Sequence, residues 1–243
     1  MPTPTQSIRE IVTAEPSSVA VFERFEIDLC SRADADLERV CAEMQLSVEQ
    51  VLEKLADAEA KAHGVTVPNI ETYTLTRLIQ HIVRTHHQTV RREFPQIVEL
   101  SKRIAAKHGD RASRFKTVAL LTEQLYLEML AHLAKEEQML FPYLVRLEEG
   151  ADGHSPLPDA PFQSIAQPVS VMVREHDSVQ GILAELRNLT KGFEPPEWAC
   201  PRNIGFHASL ASFEKDLHQH VHLENNLLFP RAIALETGNR ERS

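Results

Sequence analysis

The chain has 243 residues and carries 26 basic against 35 acidic side chains, a formal net charge of −9. That balance argues against wrapping nucleic acid or docking on an anionic membrane. With 42% apolar and 25% charged residues, and 8 Gly against 14 Pro, the chain is neither collagen-like nor disordered and should bury a core, in one domain or two. Cys30, Cys41 and Cys200 form no C-x-x-C clip and cannot all pair, as expected in a reducing compartment. Met1–Ser7 lacks the basic and apolar regions of a signal peptide, and no apolar run approaches the roughly 18 residues needed to span a bilayer. A cytoplasmic location is expected.

In chain order, residues 1–62 predict a small domain of short helices. Its apolar positions are spaced by threes and fours: Ile8, Ile11 and Val12; Val19, Phe22 and Phe25; Leu37, Val40, Cys41 and Met44. Ser47 with Gln50 is a capping-box pattern ahead of Val51, Leu52 and Leu55. Gly and Pro between His63 and Asn69 mark a linker over 63–73. From 74 to 243, four long amphipathic helices are expected, over 74–107, 112–149, 167–191 and 202–237. The expected fold is therefore all-α, a four-helix bundle behind a small helical N-terminal domain.

Each long helix has one apolar stripe, and each stripe is interrupted by histidine. The stripes read Ile79, Val83, His87, Val90, Phe94, Ile97; then Val118, Leu121, Leu125, Met129, His132, Glu136, Met139, Tyr143. The third is Val169, Met172, His176, Val179, Leu183, Leu186, and the fourth Phe206, Leu210, Phe213, Leu217, His220, Glu224, Leu227. In two of them a glutamate follows one turn later on the same face, His132-x-x-x-Glu136 and His220-x-x-x-Glu224.

A single such pair is usually a solvated contact, and a single stripe histidine usually a satisfied core residue. Here the pattern repeats. His132-Leu-Ala-Lys-Glu-Glu-Gln-Met-Leu-Phe-Pro142 and His220-Val-His-Leu-Glu-Asn-Asn-Leu-Leu-Phe-Pro230 share His, Glu, Leu, Phe and Pro at equal offsets, and the stripe histidines are separated by 45, 44 and 44 residues. Two similar hairpins would bring four imidazoles and two carboxylates to one level. No Lys or Arg occupies the stripes, so opposed carboxylates in a dry interior demand a multivalent cation.

Six such ligands are too many for one tetrahedral zinc and too nitrogen-rich for calcium or magnesium, whereas imidazole plus carboxylate suits iron or manganese. If Glu136 and Glu224 bridge two ions, each ion has four protein ligands and, with an oxo, hydroxo or water bridge, one position free for a small molecule. No Glu precedes any His by three residues, so the ferritin-like scheme does not apply. Glu128, one turn before His132, and Glu175, beside His176, are candidates to stand behind the ligands or relay protons, an exposed charge being the equally common alternative. His86 competes with His87, because Leu75, Ile79, Ile82 and His86 form their own series; Val90, Phe94 and Ile97 favour His87. His81, His86, His207, His218 and His222 lie off the stripes, His63, His108 and His154 lie in connections, and most are expected to be solvated.

The H-x-x-x-E-x-x-x-L-F-P pair, Arg174-Glu-His-Asp177 and Arg84-Thr-His-His-Gln-Thr-Val-Arg-Arg-Glu-Phe-Pro95 resemble the hemerythrin-like di-iron proteins of the Repair of Iron Centres family, the ScdA and YtfE type, over nearly the whole chain. The resemblance implies a non-haem di-iron centre with histidine ligands at His87, His132, His176 and His220 and bridging glutamates at Glu136 and Glu224. In that family the first-helix ligand lies eight residues before the Phe/Leu-Pro pair, which again selects His87. It also implies a stress-response role in restoring iron–sulfur clusters damaged by nitric oxide or peroxide, by supplying iron or by reducing nitric oxide as an oxidoreductase. The implied partners are nitric oxide, oxygen or peroxide, and iron–sulfur client proteins. The alternative is a hemerythrin-like sensor or carrier that binds without turnover. The chain departs from the family's Asp-x-Cys-Cys-Gly-Gly motif with Asp28-Leu-Cys-Ser-Arg-Ala33, so Cys30 is read first as a small core residue. Oxygen-carrying hemerythrins use a fifth histidine that has no stripe position here, which favours a more open centre.

Overall fold

The computed structural model describes residues 2–15, 18–27, 32–63, 70–151, 162 and 164–240. Cys30, His154 and most of the expected linker lie outside the described residues. The protein is all-α, as expected. Among the described residues no strand forms, apart from an isolated bridge between Ser7 and Asp36. No helix among them is long and apolar enough to cross a membrane.

The chain forms two compact units. The first comprises Met1–Thr66, Gln96–Ala119 and Arg187–Phe213. It contains α1 (Ile8–Ala14), α2 (Ser18–Arg24), α3 (Leu37–Glu43) and α4 (Val48–His63). α1 starts at a reciprocal cap in which Ser7 accepts from the Glu10 amide while Glu10 accepts from the Ser7 amide, satisfying two amides that a helix start leaves unpaired. Ser47 Oγ accepts from the Gln50 amide at 3.2 Å, as its spacing predicted. Ile8, Val12, Phe22, Leu37, Val40 and Val51 are fully buried. Gly205 is required here: a Cβ at that position would lie 2.1 Å from Val19 Cγ2, so the backbone approaches the Val19 side chain more closely than any other residue allows.

The second unit comprises Val67–Pro95, Leu120–Leu186 and Glu214–Ser243. Its helical passages are α5 (Leu75–Ile82) leading to α6 (Gln88–His108), α7 (Arg114–Lys135) leading to α8 (Phe141–Ala151), α9 (Ala166–Leu189), and α10 (Pro201–Leu223) leading to α11 (Phe229–Arg240). α6, α7, α9 and α10 each run on into the first unit's segments. Thr74 Oγ1 caps α5, and the Glu148 carboxylate accepts from the Leu75 and Thr76 amides at 2.6 and 2.9 Å. Glu236, nearly buried, accepts from Ser164 Oγ at 2.9 Å and from the Ile165 amide at 3.2 Å, holding the start of α9.

Three passages are interrupted by a five-residue π-turn: Val83–His87, Glu136–Leu140 and Glu224–Leu228. The amides of Gln88, Phe141 and Phe229 reach back to the carbonyls of Val83, Glu136 and Glu224, an i→i+5 pattern that packs one extra residue into a turn. Inside two of these turns the expected stripes are corrected, because the buried residue is the fourth after the glutamate and not the third. Met139 is 66% exposed and Leu140 faces the core at 3%. Likewise Leu228, at 0%, takes the place expected of the half-buried Leu227. In the first passage the series ending at Ile82 and His86 and the series starting at His87 meet at the π-turn, and both histidines are buried. His86 is therefore not a solvated residue. α9 has no π-turn, and its buried residues are the six expected ones: Val169, Met172, His176, Val179, Leu183 and Leu186.

This register separates two neighbouring substitutions. Met139→Gln should change stability by less than about 0.5 kcal/mol, and Leu140→Ala should cost about 2–5 kcal/mol. Urea denaturation of both variants measures this; equal losses would place Met139 in the core.

Candidate metal centre

Four histidines of the second unit meet at one level: His87 at the end of the first π-turn, His132 in the last turn of α7, His176 in α9 and His220 in the last turn of α10. Glu136 and Glu224 open the other two π-turns. All six expected residues are thus brought together, none more than 2% exposed and both glutamates at 0%.

The imidazoles present Nε2 inward. Glu136 places Oε2 3.4 Å from His87 Nε2 and Oε1 3.4 Å from His132 Nε2. Glu224 places Oε1 2.9 Å from His220 Nε2 and 3.9 Å from His87 Nε2, and Oε2 3.1 Å from His176 Nε2. Two groups of ligand atoms result, His87 and His220 with both glutamates and His132 and His176 with both glutamates, the atoms in each lying within 4.8 Å of one another.

These atoms fit a cation by an internal test. Both oxygens of Glu136, Oε2 of Glu224 and Nε2 of His87 are buried without a hydrogen bond, although charged and polar atoms surround them. His132 Nδ1 donates to Glu175 Oε2 and His176 Nδ1 to Asn225 Oδ1, both at 3.0 Å, so each ring turns the lone pair of Nε2 inward. Those two Nε2 atoms are 3.0 Å apart, a distance at which lone pairs repel unless a cation or proton lies between them. The imidazole and carboxylate donor set suits iron or manganese.

The outward nitrogens reveal residues that the stripes did not select. His87 Nδ1 donates to Glu137 Oε1 at 2.7 Å, and Arg91 donates to the same oxygen at 2.7 Å. Lys135 donates to Glu175 behind His132. Glu175 therefore stands behind a ligand. Glu128 does not touch one: it accepts from Gln124 at 2.9 Å and Ser178 at 3.1 Å. Glu137 and Asn225 each follow a stripe glutamate directly, and that shared offset in the repeat was the available signal.

His220 differs from the other three. Its Nδ1 is buried without a hydrogen bond, and its ring stacks on His86 at 5.5 Å and 2°. His86 Nδ1 in turn lies 2.8 Å from Asp216. His207 also departs from expectation: it is 1% exposed, with Nδ1 donating to the Asn203 carbonyl at 2.8 Å. The edge-on contact of its ring with Phe115 at 6.1 Å makes it part of the first unit's core. His218 and His222 are exposed as expected, His222 pairing with Asn226.

Charge at the centre is strongly coupled. Burial pulls His132 down, but Glu136, Glu224 and Glu175 overcome this and push its pKa up to about 9. His220 moves up against its burial through Glu224 and Glu136. Burial raises Glu224, yet His220, His176 and His87 hold it well below the carboxylate range. Behind the ligands, burial of Glu137 is outweighed by Arg91 and His87, and that of Glu175 by Lys135 and His132, so both remain ionised.

These shifts define two measurements. A His132 pKa raised from 6.5 to about 9 stabilises the metal-free protein fully below pH 6.5, a contribution on the order of 3 kcal/mol that is lost as pH rises through 9. Thermal melts of chelator-treated protein between pH 6.5 and 9.5 should show this fall, and iron added at pH 7 should release protons to an indicator dye, because ligation needs neutral imidazole. Constant melting temperature and no proton release would contradict the coupling. Glu137→Gln, which weakens the bond to His87, should lower metal affinity about 10–100-fold in chelator competition.

The matches to known proteins agree with this geometry. Residues 78–232 match the hemerythrin HHE cation binding domain, and residues 4–59 match the ScdA_N domain, a domain of unknown function. The chain is 29% identical over 229 residues to the iron–sulfur cluster repair protein YtfE of Yersinia pseudotuberculosis serotype O:1b and 30% identical over 231 residues to that of Pectobacterium atrosepticum. It is 26% identical over 228 residues to a probable iron–sulfur cluster repair protein of Haemophilus influenzae. Each alignment covers 94% of this chain and 96% of the relative. With a buried histidine and glutamate cluster inside a matching cation-binding domain, the chain belongs to the hemerythrin HHE family, in its Repair of Iron Centres branch.

Proposed function

We propose that the six residues hold two non-haem irons, one between His87 and His220 and the other between His132 and His176, with Glu136 and Glu224 bridging. The observation that carries this reading is the division of labour within each carboxylate: one oxygen faces the first group and the other faces the second. A single ion would leave half of those buried oxygens unanswered. The protein then acts in the cytoplasm during nitrosative and oxidative stress, repairing damaged iron–sulfur centres of client proteins by supplying iron, by reducing nitric oxide, or both. Neither nucleic acid nor a membrane is a partner.

When bound, an iron pair in such ligands supplies electrons one at a time from adjacent ions and open positions for a small molecule. The chain's own residues set the conditions. Arg91 and Glu137 hold the His87 ring, and Lys135 and Glu175 hold the His132 ring, so each imidazole is fixed in orientation and made more basic. Glu175 spans from the buried His132 to the partly exposed surface, where its side chain is 27% accessible, and as an ionised acceptor it fixes the proton on His132 Nδ1 and leaves Nε2 free to bind. Asn225 fixes His176 without adding charge.

Protein purified without chelator should contain about two irons per chain and change its absorption spectrum on reduction. Glu136→Ala and Glu224→Ala, each removing a bridge, should abolish binding of the second ion. With a reductant, the wild type should consume nitric oxide catalytically or restore a damaged iron–sulfur enzyme. Two irons with neither activity would overturn the repair role, and nitric oxide bound once per site without turnover would make the protein a sensor.

A further inference from the structure

A second reactive cluster lies in the first unit, among groups that the metal centre does not use. Cys200 is a half-buried thiol, not a disulfide, and its Sγ lies 3.8 Å from His108 Nε2. The residue occupies the entry to α10: its carbonyl accepts from the Asn203 and Ile204 amides at 2.8 and 3.0 Å. The first turn of a long helix therefore begins beside the sulfur, where partial positive charge favours an anion.

The setting is also cationic. Trp198 packs on His108 with ring centroids 5.2 Å apart, and the Arg111 guanidinium lies 4.4 Å over the same indole. Arg9 of α1 donates to the carbonyl of Ala199, the residue before Cys200, at 2.9 Å. Arg9 also pairs with Asp34 at 2.9 Å, and Asp110 beside Arg111 pairs with Lys116 at 3.3 Å. In the same first turn Asn203 is fully buried with neither Nδ2 nor Oδ1 hydrogen-bonded, a polar group without an answer from the protein. Cys41 offers the contrast: at 1% exposure its thiol is pushed up by burial and then by Glu49.

We propose that Cys200 and His108 form a hydrogen-bonded thiol and imidazole pair that is a modification site for hydroperoxides. The Cys200 sulfur attacks the terminal oxygen of the hydroperoxide, a sulfur–oxygen bond forms and the oxygen–oxygen bond breaks. The thiol proton, received by His108, passes to the departing alkoxide, which leaves as the alcohol. Sulfur is oxidised by two electrons to the sulfenic acid, the peroxide is reduced by two, and His108 is left neutral. Nothing in this step draws on the metal centre, so it stands whether or not the di-iron reading holds.

The test is iodoacetamide labelling of the full-length protein as isolated, followed peptide by peptide in mass spectrometry across pH, with Cys41 as the slow internal reference. Labelling of Cys200 should reach half its maximal rate below about pH 7, against about 8.5 for an ordinary thiol. His108→Gln should move that midpoint up to the ordinary value. An alkyl hydroperoxide followed by dimedone should mark Cys200 in the wild type and not in the variant. A wild-type midpoint near 8.5 overturns the proposal even if the variant fails to fold, and so does a midpoint that His108→Gln leaves in place.

Discussion

Two carboxylates, Glu136 and Glu224, sit at zero exposure among four imidazoles, and much of the second unit is arranged around the cost of that placement. Removing one carboxylate from water costs several kcal/mol, and facing two of them adds repulsion. Histidine alone offsets this only by holding protons, as the raised His132 and His220 show. A cation between the groups answers the same oxygens with no protonation at all. The site is thus a place where proton and metal compete, and folding stability and metal affinity there are linked quantities.

The backbone contributes as much as the side chains. In a regular helix, the face that carries a ligand at one turn continues to carry apolar residues at the next. Each of the π-turns at Glu136 and Glu224 opens on a carboxylate turned inward and closes on a leucine in the core, Leu140 or Leu228. The turn at Val83–His87 lets two adjacent histidines be buried at once. Such turns are costly to form in isolation and persist where the surrounding packing and ligands hold them.

The duplicated hairpins share a plan and differ in the groups behind the ligands. After one stripe glutamate comes Glu137, neutralised by Arg91; after the other comes the uncharged Asn225. Glu175 stands before His176 and supports His132, while the corresponding residue before His87 is His86, which stacks on His220 and leaves its Nδ1 unanswered. The ligands of the two halves therefore have differently charged groups behind them.

Much of this was readable from residues alone, for a definite reason. A histidine or glutamate on an apolar stripe violates the burial preference of its type, and four violations at spacings of 44 or 45 residues identify a shared level in the bundle. The all-α architecture and the six converging residues follow from that periodicity, as does the family membership through its motifs. Periodicity of 3.6 does not foresee the π-turns, and it admits either the third or the fourth residue after each glutamate, so it cannot choose Leu140 over Met139 or Leu228 over Leu227. Nor could it select Glu137, Asn225 or the burial of His86 and His207, since those depend on which neighbouring helix lies across from them. One-dimensional order determined which side chains must be inside; only the packed helices decided which polar atom each of them would meet.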